Sequence, residues 1–210
     1  MDVENKALDQ NISRLCRELE REFIIIPDTR KQCLQRLSAY LREVSAEGRT
    51  SRVIFICTHN SRRSHLAQLW LSIAADRYGL ARLRTFSGGT EATAFNSRMV
   101  EALRRAGVTL EADAYPNNPV YRVSWRKDMK PYAAFSKVYT AAPNPSEGFA
   151  AVMVCTEADA GCPVVTGCDF RLSLPYDDPK AYDDTPREAA AYAAKVREIG
   201  REMLYVISQV

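Results

Sequence analysis

No apolar run in this chain is long enough to cross a bilayer. The longest, near residues 23–26 and 150–155, fall far short of the roughly 20 residues a spanning helix needs, so no membrane partner is expected. A dominant charge is missing too. Lysine and arginine number 29 against 26 aspartates and glutamates, and a net charge of +3 is too slight to imply a nucleic-acid partner, though it suits an anionic substrate. Histidine is scarce, with only His59 and His65, and none of the six cysteines forms a Cys-x2-Cys pair, so neither a zinc site nor any other metal or cofactor is expected. The opening residues MDVENKALDQ lack the apolar core of a secretory signal. Without a targeting segment, Cys16, Cys33, Cys57, Cys155, Cys162 and Cys168 read as reduced thiols with catalytic or redox roles rather than as a disulfide framework, and a cytoplasmic location is expected.

What the chain does have is concentrated in residues 53–64, VIFICTHNSRRS. An apolar strand delivers Cys57 to a polar loop, and Arg63 and Ser64 follow at the start of a helix, giving the spacing Cys-x5-Arg-Ser. Such a loop can turn its backbone N–H groups and a helix N-terminus toward one point and cradle a tetrahedral oxyanion. The Arg63 guanidinium can grip two anion oxygens as a fork. The same positive field favours a thiolate, so Cys57 is the candidate nucleophile. Thr58, His59, Asn60, Ser61, Arg62, Arg63 and Ser64 are the candidate anion-binding residues.

Around this loop the hydrophobic pattern alternates. Strands are expected at 52–56, 84–87, 151–155 and 171–174, and helices after residue 62, near 97–106 and over 187–207. The helix after the loop is expected to be amphipathic. Strand–helix alternation implies an α/β fold, a four-stranded parallel sheet with helices on both faces, whose ligands sit at the carboxyl ends of the strands. Residues 1–48 read as an N-terminal helical hairpin broken at Pro27, with Asp28 or Thr29 capping its second helix. The remaining domain, 49–210, is interrupted at about 111–148 by prolines, glycines and aromatics (Tyr115, Tyr121, Trp125, Tyr132, Phe135 and Tyr139), an expected hairpin or long loop.

Three features converge on Cys57. Asp178 precedes Pro179, which restricts it to an extended pose from which a carboxyl can protonate a leaving oxygen; a plain turn is the alternative. Cys155 and Cys162 bracket the small polar segment TEADAG, which can serve thiol–disulfide exchange or simply separate two unrelated thiols. Ser87–Gly88–Gly89–Thr90–Glu91 lets the neighbouring loop approach closely.

Together these residues resemble the low-molecular-weight tyrosine phosphatases over about residues 52–208, and among them the thioredoxin-coupled arsenate reductases. CTHNSRRS stands where that family has its anion loop, SGGTEA where it has SAGTEA, and Asp178–Pro179 where it has its general acid. Cys155 and Cys162 match the reductases' second and third redox cysteines. The resemblance implies that Cys57 attacks arsenate held by Arg63 and the loop, that Ser64 supports the thiolate, and that Asn60 holds the loop. It further implies that Asp178 protonates the departing hydroxide, and that Cys155 and then Cys162 carry away the oxidising equivalents as a disulfide that thioredoxin reduces. Departures are His59 for the family's glycine, a position where positive φ is expected; Arg62 for a second loop cysteine; and Gln68 for a glutamate near a potassium ion, so no cation is expected. Lys180–Ala181 replace the tyrosines with which phosphatases grip an aromatic ring, though the inserted aromatics could substitute. Three functions stay open: arsenate reductase, phosphatase acting on phosphotyrosine or a small phosphate ester, and a non-catalytic anion-binding or thiol-sensing module.

Overall fold

In the computed structural model, residues 8–113, 117–162 and 164–210 are described. Two helices, α1 (Gln10–Arg21) and α2 (Asp28–Ala46), open the chain, joined by a 3-10 turn at Glu22–Ile25. Then β1 (Ser51–Cys57), α3 (Arg63–Tyr78), β2 (Leu83–Gly89) and α4 (Ser97–Arg105) alternate. Three short strands follow, β3 (Thr109–Ala112), β4 (Tyr121–Ser124) and β5 (Tyr132–Ala134). The chain ends with β6 (Phe149–Met153), α5 (Thr156–Gly161), β7 (Cys168–Ser173), a 3-10 turn at Pro179–Tyr182, and α6 (Glu188–Ser208).

β1 is the axis of the molecule. Every residue from Val53 to Cys57 is buried, the signature of a strand covered on both faces. It pairs in parallel with β2 on one side and β6 on the other, and β7 extends the sheet beyond β6, in the order β2-β1-β6-β7. This is the expected α/β architecture, a four-stranded parallel sheet flanked by helices. Its carboxyl edge gathers Cys57, Gly89 and the residues after Met153 in one place.

Two local expectations change. α3 is not amphipathic: from Arg63 to Ala75 all but Ser72 are buried. The helix lies between the sheet and α6, and the contact with α6 is tight enough that a Cβ on Gly200 would come within 2.7 Å of the Trp70 ring. Nor does Asp28 or Thr29 cap α2. The helix begins at Asp28 itself, Pro27 holds the cap position, and no side chain closes the end. The Asp28 carboxylate instead lies 3.7 Å from Lys31 within the first turn, where a negative charge complements the helix dipole.

Helices α1 and α2 share the main core. Ile12, Leu19, Leu34, Leu37, Leu41 and Val44 are buried in the same cluster as α6 residues Ile199, Met203 and Val206. The expected hairpin or loop at 111–148 is a small antiparallel sheet, β3-β4-β5. It joins the main sheet where Lys137 O accepts from Gly89 N at 2.9 Å and Tyr139 N donates to Gly89 O at 2.8 Å. Of the aromatics there, Tyr121 and Trp125 are buried and Tyr132 Oη donates to Thr85 O at 2.6 Å, so these three pack the insertion onto the domain. Tyr115 lies outside the described residues. No helix among the described residues is long and apolar enough to cross a membrane.

Candidate active site

Residues 57–64 leave the end of β1 and turn straight into α3. Their carbonyls face outward to a buttress formed by residues 90–96 and the insertion. Cys57 O accepts from Thr90 N at 3.1 Å, Thr58 O from Glu91 N at 2.8 Å, and Ser61 O from Asn96 N at 2.9 Å. His59 O accepts the hydroxyls of Thr93 at 3.1 Å and Ser136 at 3.0 Å. The amides of residues 58–62 donate none of these bonds. The buttress can stand this close only because residue 89 is glycine. A Cβ there would lie 2.5 Å from Thr58 O and 2.7 Å from Asn60 N.

The loop's left-handed residue is Asn60, at φ 44°, and not His59, where positive φ was expected. Asparagine tolerates this region, and here its amide is bonded at both ends. Nδ2 donates to Ser64 Oγ at 2.8 Å and Oδ1 accepts from Lys137 N at 2.9 Å. Ser64 Oγ in turn lies 3.1 Å from Cys57 Sγ. A buried chain of bonds thus runs from the insertion through Asn60 and Ser64 to the thiol. His59 sits at the surface with its ring 3.8 Å from Glu91.

The two arginines diverge. Arg63 Nη1 donates to Tyr176 O at 2.8 Å and Nη2 to Asp178 Oδ2 at 2.9 Å, so Asp178 is brought to the rim of the loop. Asp178 also caps the following 3-10 turn through Lys180 N at 3.0 Å. The Arg62 side chain runs past Asp178, its Nε 3.9 Å from Asp178 Oδ1, toward α6. Its Nε donates to Tyr192 Oη at 2.9 Å and its Nη2 to Asp183 Oδ2 at 3.3 Å, tying the loop to the segment behind Asp178. Tyr192 donates to Asp183 at 2.8 Å, and burial pushes its hydroxyl up to about 12.

Cys155 is fully buried beside the loop, its Sγ 3.5 Å from Thr58 Oγ1, one residue from Cys57. Burial raises its pKa, opposed by the Thr58 hydroxyl, the Ala158 N–H and the charge of Arg63, and reinforced by Cys57. Cys155 Sγ is also the N-cap of α5, accepting from Ala158 N at 3.4 Å. Cys162 ends the same helix, half-buried. Cys168 opens β7, and burial pushes its thiol up.

Sequence reasoning passed over Ser136 and Lys137, which hold the loop from the insertion, and Asp183 and Tyr192, which hold Arg62. Each lies more than 70 residues from its partner, so no local spacing could expose it. Tyr176 is different: its place two residues before Asp178 was a usable signal. His65 is buried and neutral, its pKa lowered by desolvation and by Lys137, with the ring stacked on Phe95 at 4.0 Å. Gln68 is committed to Thr85 O at 3.2 Å. No cluster of His, Cys, Asp or Glu suited to a metal ion occurs among the described residues.

Residues 52–120 match the family model of the low molecular weight phosphotyrosine protein phosphatases. Arsenate reductase 2 of Staphylococcus epidermidis is 25% identical over 128 residues, covering 60% of this chain and 77% of that protein. Two solved structures share the fold: the low-molecular-weight tyrosine phosphatase of T. tengcongensis, with a TM-score of 0.50 at 16% identity over 76% of this chain and 99% of that one, and a YwlE mutant from Bacillus subtilis, with a TM-score of 0.50 at 16% identity over 76% and 97%.

Proposed function

From its place in the low-molecular-weight phosphotyrosine phosphatase superfamily, near the arsenate reductases, we propose that this enzyme reduces arsenate to arsenite through a three-cysteine relay. The observation that carries the reading is the position of Cys155. It lies beside the residue next to Cys57, within range of the charge on that thiol, and it caps a helix that ends in Cys162.

The chemistry runs as follows. Arsenate sits on the amides of the loop with Arg63 as its fork. The Cys57 thiolate attacks arsenic(V), an As–O bond breaks, and Asp178 protonates the departing hydroxide to water. The Cys155 thiolate then attacks Cys57 Sγ. The S–As bond breaks, its electron pair stays on arsenic, and arsenite leaves as arsenic(III). A Cys57–Cys155 disulfide remains. Cys162 attacks Cys155 Sγ and expels the Cys57 thiolate, and an external dithiol of the thioredoxin class reduces the resulting Cys155–Cys162 pair.

The geometry of α5 sets a condition on the last exchange. Six helical residues lie between Cys155 and Cys162 and hold them roughly 10 Å apart, whereas a disulfide needs Cα atoms about 4.4–6.8 Å apart. α5 therefore unwinds during turnover. Its capping by the reacting sulfur couples the two events, since Cys155 gives up the Ala158 N–H bond when it attacks.

A second reading, hydrolysis of a phosphate ester through a cysteinyl-phosphate, is favoured by one observation. A cleft of about 720 Å³ lined by Asp177, Asp178, Pro179 and Tyr182 adjoins the general acid and offers room for an organic leaving group that arsenate does not have. Arsenate-dependent oxidation of thioredoxin, run beside p-nitrophenyl phosphate hydrolysis on wild type, Cys155→Ser and Cys162→Ser, separates the two. The relay requires both serine variants to lose arsenate turnover. Brisk ester hydrolysis by a wild type that ignores arsenate establishes the phosphatase instead.

A further inference from the structure

Helix α2 reaches the oxyanion loop through a chain of side chains that starts at the part-buried Arg30 and runs inward. Arg30 Nε lies 2.9 and 3.0 Å from the two carboxylate oxygens of Glu202 on α6, and its guanidinium lies over the Tyr176 ring at 4.5 Å. Tyr176 Oη donates to Glu202 Oε2 at 2.6 Å. Glu202 and Tyr176 are each only 4% exposed, so this carboxylate depends on Arg30 for its countercharge. Tyr176 is then held at four points. Its hydroxyl is fixed by Glu202 and its ring by Arg30, its N–H donates to Val154 O at 3.2 Å, and its carbonyl accepts from Arg63 Nη1 at 2.8 Å. Two residues on, Asp178 accepts from the other terminal nitrogen of the same guanidinium.

We propose that Arg30 is a positioning residue for the oxyanion site, fixing the fork of Arg63 and the carboxyl of Asp178 through Glu202 and Tyr176. This rests on reading residues 57–64 as an oxyanion loop. A planar guanidinium binds a tetrahedral anion well in one orientation only. Here that orientation is set by two acceptors from residues 176–178, and the tyrosine that supplies one of them is aligned from α2. Other ties from α2 run elsewhere: Ser38 Oγ donates to Val206 O at 2.8 Å and Cys33 Sγ to Ser173 O at 3.3 Å, and neither acceptor bonds Arg63. Arg197 with Glu18 and Glu22, and Arg77 with Glu20, are partly exposed pairs on the flanks of their helices. Arg30 alone among these ends on a residue that touches Arg63. The N-terminal hairpin is thereby part of the site's support, and a change on α2 alters how tightly an anion is held.

The test uses inorganic phosphate as the probe and protection of Cys57 from iodoacetamide as the readout, on the full chain well below its melting temperature. In Arg30→Gln the phosphate concentration for half-protection rises about tenfold, the scale of one charge-assisted hydrogen bond misaligned. Tyr176→Phe removes only the hydroxyl bond, leaves no charge unpaired, and shifts the concentration in the same direction by a few fold; it carries the test if Arg30→Gln does not fold. Arg30→Lys, which keeps the charge without the fork, recovers part of the loss. Arg197→Gln, which cuts a tie of α1 to α6, leaves protection unchanged. Folded Arg30→Gln and Tyr176→Phe with lowered Tm and wild-type protection overturn the proposal and make Arg30 a purely structural ion pair. A wild type whose Cys57 phosphate does not protect overturns the oxyanion reading itself, and this proposal with it.

Discussion

At the scale of single residues, the site depends on how buried polar groups are satisfied. Asn60 joins Lys137 N, Ser64 Oγ and the left-handed turn of the loop, and all of these are buried. Asn60→Ala strands two polar partners and keeps the strained φ, so a loss of about 2–4 kcal/mol is expected in urea unfolding. Ser64→Ala leaves the fold intact and slows carboxymethylation of Cys57 at pH 7 roughly tenfold, the value of about 1.4 kcal/mol for one bond to the sulfur. Lys137 supplies a pH signature. Burial lowers its ammonium to about 8 from a usual 10.5. The folded protein therefore sheds this proton before the unfolded chain does. The residue's penalty on stability is full below pH 8 and relaxes as pH rises toward 10.5. In paired urea titrations Lys137→Met is more stable than wild type at pH 7, and the difference closes as pH approaches 10. The loop residues themselves were legible from Cys-x5-Arg-Ser. Their orientation was not, because nothing local distinguishes Arg63, hydrogen-bonded to Asp178, from Arg62, hydrogen-bonded to Tyr192 and Asp183. The misplaced positive φ has the same origin. Only the distant Lys137 amide and the Ser64 hydroxyl make Asn60 the residue that bends.

Among the elements, strands and helices were readable where periodicity was strong. β1, β2, β6, β7 and α6 lie close to the positions their apolar patterns imply, because each is driven by burial of its own residues. α3 misled because its surroundings, not its sequence period, decide its exposure: α6 covers the side that would otherwise face water. The insertion misled for a related reason. Its strands are three or four residues long, too short for a period of two to register, and the insertion is held by the buried Tyr121 and Trp125 and by the bridge from Val138 to Gly89 of the main sheet. That junction yields a prediction for the loop's support. Gly89→Ala forces a Cβ to within 2.2 Å of Glu91 O and drives the buttress away from Thr58 and Asn60. Loss of anion protection at Cys57 is expected in a protein that retains its far-ultraviolet circular dichroism. In the proposed relay the element with most to change is α5, six residues long and capped by a cysteine. Arg171 holds its far end, with Nη2 2.5 Å from Asp159 Oδ1 and 3.0 Å from Cys162 O. Hydrogen exchange at residues 156–161 is expected to quicken in the oxidised enzyme compared with the reduced one. Equal rates in the two forms contradict unwinding.

For the whole molecule, one core joins the N-terminal helices, the parallel sheet and α6, and this gives a hairpin outside the sheet a hold on its carboxyl edge. A close contact within that core is Trp70 against Gly200. Gly200→Ala overpacks it and costs about 1–3 kcal/mol, seen as a lower urea midpoint with the site chemistry retained. Fold class was legible at this scale because strand–helix alternation admits few topologies. The dependence of the site on α2 was not legible, since Arg30 and Glu202 meet across 172 residues.

The proposed relay sets an order of attack, Cys57, then Cys155, then Cys162, and a single-turnover disulfide map reads that order out. Fully reduced enzyme receives one equivalent of arsenate without external reductant, is acid-quenched, and is mapped by peptide mass spectrometry while arsenite is counted. Wild type is expected to release one arsenite per chain and to carry a Cys155–Cys162 disulfide, and Cys162→Ser to trap a Cys57–Cys155 disulfide. Six free thiols and no arsenite in wild type, or arsenite released with a disulfide that excludes Cys155, contradict the relay.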